Sequence, residues 1–144
     1  MEETYKPDMI PSLKGAYVLL VEDDFLVSAE VELALAAAGA EIARTRTVED
    51  AVALADEENL AAAILDIRLG RDSVAPVARR LTERGVPFFF YSGQADIDAI
   101  RAEWPHRKII AKPARPRTIV NAIVEVMKEK NAAAAGTSRP HVPF

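Results

Sequence analysis

The chain has 144 residues, half of them apolar, a net charge of −4 and no cysteine. That size suits one domain with one core. The acidic balance argues against nucleic acid as a partner, and the lack of thiols excludes disulfide scaffolds, thiolate metal sites and cysteine nucleophiles. Nothing resembles a signal peptide, and the apolar runs are too short to cross a bilayer. A soluble, cytoplasmic protein without membrane insertion is therefore the expectation.

Residues 1–14 carry Pro7 and Pro11 without periodicity and are expected to form an extension that precedes the fold. The domain is expected over residues 15–130. Ala16 to Val21 is an unbroken apolar run, which predicts a strand buried on both faces. The acidic cluster Glu22, Asp23, Asp24 follows it. Val27, Val31, Leu35 and Ala38 then recur at helical spacing up to Gly39. Ala40 to Ala43 can form a second strand. Thr47, with Asp50 three residues on, reads as the cap of a short helix. Ala61 to Leu65 is a third strand ending at Asp66. Val77, Ala78 and Leu81 line a helix closed by Gly85. Val86 to Tyr91 is a fourth strand, followed by Ser92 and Gly93.

A short helix over residues 95–104 ends at Trp104 and Pro105. Ile109 to Ala111 is a fifth strand leading into Lys112-Pro113. Ile119, Ile123, Val126 and Met127 mark a last helix running to about Lys130. The Ala-, Gly-, Ser- and Pro-rich tail over 131–144 is expected to be disordered. Five alternations of strand and helix predict an α/β, doubly wound parallel sheet, with its active crevice at the carboxyl ends of the strands.

Those strand ends carry the chemistry: Glu22 and Asp23 on the first, Asp66 on the third, Ser92 on the fourth and Lys112 on the fifth. At roughly 4 Å and an effective dielectric near 20, each pair of carboxylates repels by about 4 kcal/mol, so three together call for a cation or a proton. Hard oxygen donors suit Mg²⁺, and Lys112 adds a fixed charge. A carboxylate nucleophile can take a phosphoryl group, and such transfer is catalysed mostly by positioning and cations. Singly, each residue has a structural explanation: helix caps for the acids, turn chemistry for Ser92-Gly93, a helix start for Lys112-Pro113. Jointly, in this order and at strand ends, they are hard to explain that way.

The order Glu22-Asp23, Asp66, Ser92, Lys112-Pro113 resembles the receiver domain of bacterial two-component response regulators, over about residues 15–130. The resemblance implies a flavodoxin-like, five-stranded sheet in the order 2-1-3-4-5. It implies Asp66 as phosphoacceptor, with Glu22, Asp23, Asp66 and the backbone carbonyl of Arg68 holding Mg²⁺. Ser92 becomes the switch hydroxyl and Lys112 the phosphoryl contact, with Pro113 after a cis or trans Lys-Pro bond. The phosphoryl donor would be a sensor histidine kinase or a phosphotransfer protein, and the only reactions catalysed would be the protein's own phosphorylation and dephosphorylation.

Asp66-Ile67-Arg68-Leu69-Gly70, Pro76-Val77-Ala78, Gly85-Val86-Pro87-Phe88 and Phe90-Tyr91-Ser92-Gly93-Gln94 further resemble a single-domain alphaproteobacterial subgroup with a Phe-Ala-Thr-Gly-Tyr-like fourth strand. Three departures stand out. The Asp66-to-Ser92 spacing is a few residues short, Ile109 stands where an aromatic ring is usual, and Ala114 stands where Phe commonly follows Lys-Pro. Tyr91 and Gln94 thereby become candidates, with Ile109, for the switch relay.

A haloacid dehalogenase-type phosphatase would need a second Asp where Arg68 stands. A flavodoxin-like cofactor binder would need a Gly- and hydroxyl-rich loop where the acids stand. A receiver-like module that binds partners without phosphorylation is the remaining alternative. The segment after the last predicted helix is too short for an output domain. Output is therefore expected through contacts with another protein or a homodimer.

Overall fold

A computed structural model describes residues 11–137. The strands are β1 (Tyr17–Val21), β2 (Glu41–Thr45), β3 (Leu60–Leu65), β4 (Arg68–Leu69), β5 (Asp72–Ser73), β6 (Phe88–Ser92) and β7 (Ile109–Ala111). The helices are α1 (Phe25–Ala37), α2 (Val48–Leu54), α3 (Ala75–Arg84), α4 (Ile97–Glu103) and α5 (Pro116–Thr137), with a 3₁₀ turn over Gln94–Asp96 before α4. Five strands form one sheet in the order β2-β1-β3-β6-β7, and every pairing in it is parallel. This is the expected 2-1-3-4-5 order, renumbered because β4 and β5 form a separate antiparallel hairpin.

Continuous apolar runs become the strands covered on both faces. The central strands β1, β3 and β6 are almost wholly buried, whereas the edge strands β2 and β7 are mainly half-buried. Side chains alternate across the sheet and so build two cores. Val18, Leu20, Ile64, Phe89 and Tyr91 pack with α1 and α5 on one face. Leu19, Val21, Leu65, Phe88 and Phe90 pack with α2, α3 and Ile100 on the other.

Helix ends follow local chemistry. Asp24 Oδ1 accepts from the N–H groups of Leu26 and Val27 at 2.9 and 3.0 Å, and so caps α1. Thr47 Oγ1 accepts from Asp50 N–H at 3.2 Å at the start of α2. Gly85, at φ 70°, ends α3 while Val86 N–H reaches back to the Leu81 carbonyl.

Beyond shifts of one or two residues at strand and helix ends, three features differ from the sequence reading. Leu13, expected to lie before the fold, is only 3% exposed and belongs to the α1–α5 core, its N–H bonded to the Ala38 carbonyl at 2.6 Å. One apolar residue between polar ones has no period to reveal it. The last helix runs seven residues past Lys130, to Thr137, because Asn131 is followed by four alanines, the strongest helix formers. The β4–β5 hairpin occupies what reads as loop, with Gly70 (φ 65°) and Arg71 as its two-residue turn. Residues 1–10 of the expected extension and residues 138–144 of the expected tail lie outside the described residues. No helix among the described residues is long and apolar enough to cross a membrane.

Candidate functional site

The parallel order brings the carboxyl ends of β1, β3, β6 and β7 side by side. Asp66 N–H bonds to the Val21 carbonyl at 2.9 Å, and Lys112 N–H to the Ser92 carbonyl at 2.9 Å, so each chemical residue leaves its strand beside the next one. Carboxylate oxygens of Glu22, Asp23 and Asp66 lie within 4.8 Å of one another. Lys112 Nζ sits 2.8 Å from Glu22 Oε1 and 3.2 Å from Asp66 Oδ2.

The three acids are held differently. Glu22 is 2% exposed and its Oε2 accepts from Asp24 N–H at 3.0 Å. Asp23 is half-buried, and its Oδ2 accepts from Gly70 N–H at 2.7 Å, which ties the β4–β5 turn to the site. Asp24 is spent on capping α1, so the acidic triplet supplies two site carboxylates and one helix cap.

Burial pushes the Glu22 carboxyl up to about 7. The hydrogen bonds from Lys112 and Asp24 N–H oppose the shift, and the nearby Asp66 charge adds to it. Burial alone would lower the Lys112 ammonium. The Glu22 hydrogen bond and the charges of Asp66 and Glu22 outweigh that and hold it above its ordinary value. A proton or a cation is thus needed to settle the cluster. Three hard oxygens in mutual reach fit Mg²⁺, which binds through one or two carboxylates and keeps several waters. Ser92 is fully buried and its Oγ has no hydrogen-bond partner among the described residues, so the hydroxyl is not committed within the fold.

The other sequence candidates fall around this centre. Tyr91 is buried on the α1–α5 face; its ring lies 5.7 Å from Lys112 Nζ, and its hydroxyl accepts from Ala114 N–H at 2.9 Å. Ile109 pairs with Phe90 and packs with the opposite core. Gln94 is exposed at the start of the 3₁₀ turn, and Pro113 is exposed after a cis Lys112-Pro113 bond. The Arg68 side chain pairs with Asp96 at 2.8 Å. Sequence reasoning did not find that pair, nor the Gly70–Asp23 bond. Gly70-Arg71 as a two-residue turn was the one available signal for the hairpin; the long-range partners had none.

The family model of the response regulator receiver domain matches residues 18–124. No curated protein matches the chain. Among solved structures, the chain is similar to NtrX from Brucella abortus, with a TM-score of 0.76 and 17% identity over 88% of this chain and 30% of that one. It thus spans under a third of NtrX. A CheY-like receiver domain protein from Methanospirillum hungatei aligns with a TM-score of 0.71 and 20% identity over 82% of this chain and 98% of that one. The signal receiver domain of a modulated diguanylate cyclase from Desulfovibrio desulfuricans gives 0.72 and 26% identity over 81% and 97%. Sheet order, the acid–lysine cluster at the strand ends and a family match over most of the chain agree: this chain belongs to the response regulator receiver domain family.

Proposed function

We propose that Asp66 accepts a phosphoryl group and that the protein signals through contacts that this modification changes. The observation that carries this reading is the cluster itself: three carboxylates in mutual reach, with Lys112 Nζ at 2.8 Å from Glu22 and 3.2 Å from Asp66. An Asp66 carboxylate oxygen would attack phosphorus as the donor's bond to phosphorus breaks, which conserves charge and leaves an acyl phosphate. Lys112 would then follow a phosphoryl oxygen. Glu22 and Asp23 would hold Mg²⁺ with Asp66 and the Arg68 carbonyl, and the ion would neutralise oxygens of the transferring group. The partnerless Ser92 Oγ–H is suited to donate to one of them.

A sensor histidine kinase or a phosphotransfer protein is the proposed donor. The Asp66 to Gly70 and Phe90 to Gly93 stretches support a place in the alphaproteobacterial subgroup. Incubation with Mg²⁺ and acetyl phosphate, followed by intact mass measurement, tests the reading. The mass should rise by one phosphoryl group, and Asp66→Asn should abolish the rise. Equal labelling of that variant would overturn the assignment. No mass gain in the native protein would favour the phosphorylation-independent module.

A further inference from the structure

We propose that the Arg68 side chain is a phosphoryl-binding group whose ion pair with Asp96 is exchanged when Asp66 is phosphorylated, freeing Asp96 to cap α4. The inference rests on the phosphoacceptor reading of Asp66 and adds the element that would respond. Arg68 stands two residues beyond Asp66, on the first strand of the hairpin whose turn is bonded to Asp23. Its Nη2 lies 2.8 Å from Asp96 Oδ1, with the Arg68 side chain 72% exposed and that of Asp96 19% exposed. With the arginine largely in solvent and Asp96 half-buried, the pair is screened on one side and open to exchange.

Asp96 occupies the N-cap position of α4, yet its side chain makes no capping hydrogen bond. Its backbone, at φ −100° and ψ −4°, closes the 3₁₀ turn. Asp24 provides the contrast within the same chain: at φ −80° and ψ 117° it is extended, and its carboxylate accepts from two N–H groups of α1. Asp96 therefore has two mutually exclusive positions. It can pair with Arg68 in the 3₁₀ conformation, or cap α4 with an extended backbone. The second position unwinds the turn Gln94–Asp96, which begins two residues after Ser92.

Charge sets the direction of exchange. Lys112 and a bound divalent cation would together balance the three carboxylates. Turning Asp66 into an acyl phosphate adds about one further negative charge and new acceptor oxygens. Arg68 follows Asp66 by two residues, closer along the chain than Arg71 in the hairpin turn, and a guanidinium binds phosphoryl oxygens in a bidentate fork more strongly than it holds one carboxylate oxygen at the surface.

Amide hydrogen exchange on the full chain, with intact mass measured in parallel, tests this. Phosphorylation with Mg²⁺ and acetyl phosphate should raise the protection of the Asp98 and Ala99 amides about fivefold, the effect of one gained cap. Arg68→Met should show that protection without phosphodonor and gain little more with it. Asp96→Ala should show no phosphorylation-dependent gain. A native protein that gains the phosphoryl mass with unchanged protection at those amides overturns the exchange alone. A native protein with no mass gain overturns the phosphoacceptor reading and the exchange with it. Unchanged protection in Arg68→Met overturns the competition between the two positions of Asp96.

Discussion

Glu22 sits at the carboxyl end of β1 with 2% of its surface exposed, and burial holds its carboxyl at about 7. In the unfolded chain it titrates as an ordinary carboxyl, near 4.5. The folded value is the higher one, so the fold favours the protonated form. The stabilisation is fully present below about pH 4.5 and is lost as pH rises through 7. Lys112 is also raised, but its contribution is lost only above its ordinary value of 10.5, outside this window. In the absence of divalent cations, Glu22→Gln should therefore be more stable than the native protein at pH 8, by roughly 1–3 kcal/mol, and should gain little at pH 4. Urea unfolding of both proteins at the two pH values measures this. Parallel pH profiles would show that Glu22 does not carry the buried charge. Mg²⁺ should close the gap at pH 8 by binding the ionised form in the native protein.

At the scale of elements, the helix ends rank by what surrounds them. Gly85 and Gly39 both adopt positive φ, 70° and 99°. A Cβ at Gly85 meets nothing within 4 Å, so Gly85→Ala should cost only the left-handed backbone penalty, about 1 kcal/mol. A Cβ at Gly39 lies 3.1 Å from both Cα and N of Lys14, backbone that is anchored through Leu13. Gly39→Ala should be the more destabilising of the two, by at least a further 1 kcal/mol. Thermal unfolding of the two variants decides it, and equal losses would mean that the segment before β1 yields freely. The same segment shows why the sequence understated the domain's start: Leu13 lies between Ser12 and Lys14, outside the unbroken apolar run that begins at Ala16, and packing into the α1–α5 core gives it its place.

For the whole molecule, the proposed phosphorylation of Asp66 raises the question of which surface it would change. Arg117, Asn121, Glu125, Lys128 and Glu129 give α5 a mixed-charge face that could pair with its own copy, but that face is partly engaged within the fold. Asn121 is half-buried, and Glu125 accepts from Lys108 Nζ at 2.7 Å. Self-association, if it is the output, must compete with that pair. Light scattering over a concentration series should show a larger species only with phosphodonor, and Lys108→Ala, which releases Glu125, should enhance it. A single monomeric mass under all conditions would leave a different protein as the output partner.

The sequence by itself determined the sheet and which residues meet at the candidate site. Unbroken apolar runs specify strands buried on both faces, the intervening 3.6-residue periods specify helices, and handedness then leaves little choice of topology. Glu22, Asp23, Asp66, Ser92 and Lys112 were legible because each stands at or just past the carboxyl end of a strand, and parallel strands put their ends on one edge. Tertiary structure alone decided what those residues experience. The elevated Glu22 carboxyl depends on burial, against the opposing pull of the Lys112 ammonium that follows β7. The division of the acidic triplet depends on where α1 begins, and the choice of Asp96 between Arg68 and α4 depends on a hairpin no periodicity announces. Local patterns record what a residue's chain neighbours impose. Electrostatic partners are set by distance in space, and no period along the chain encodes that distance.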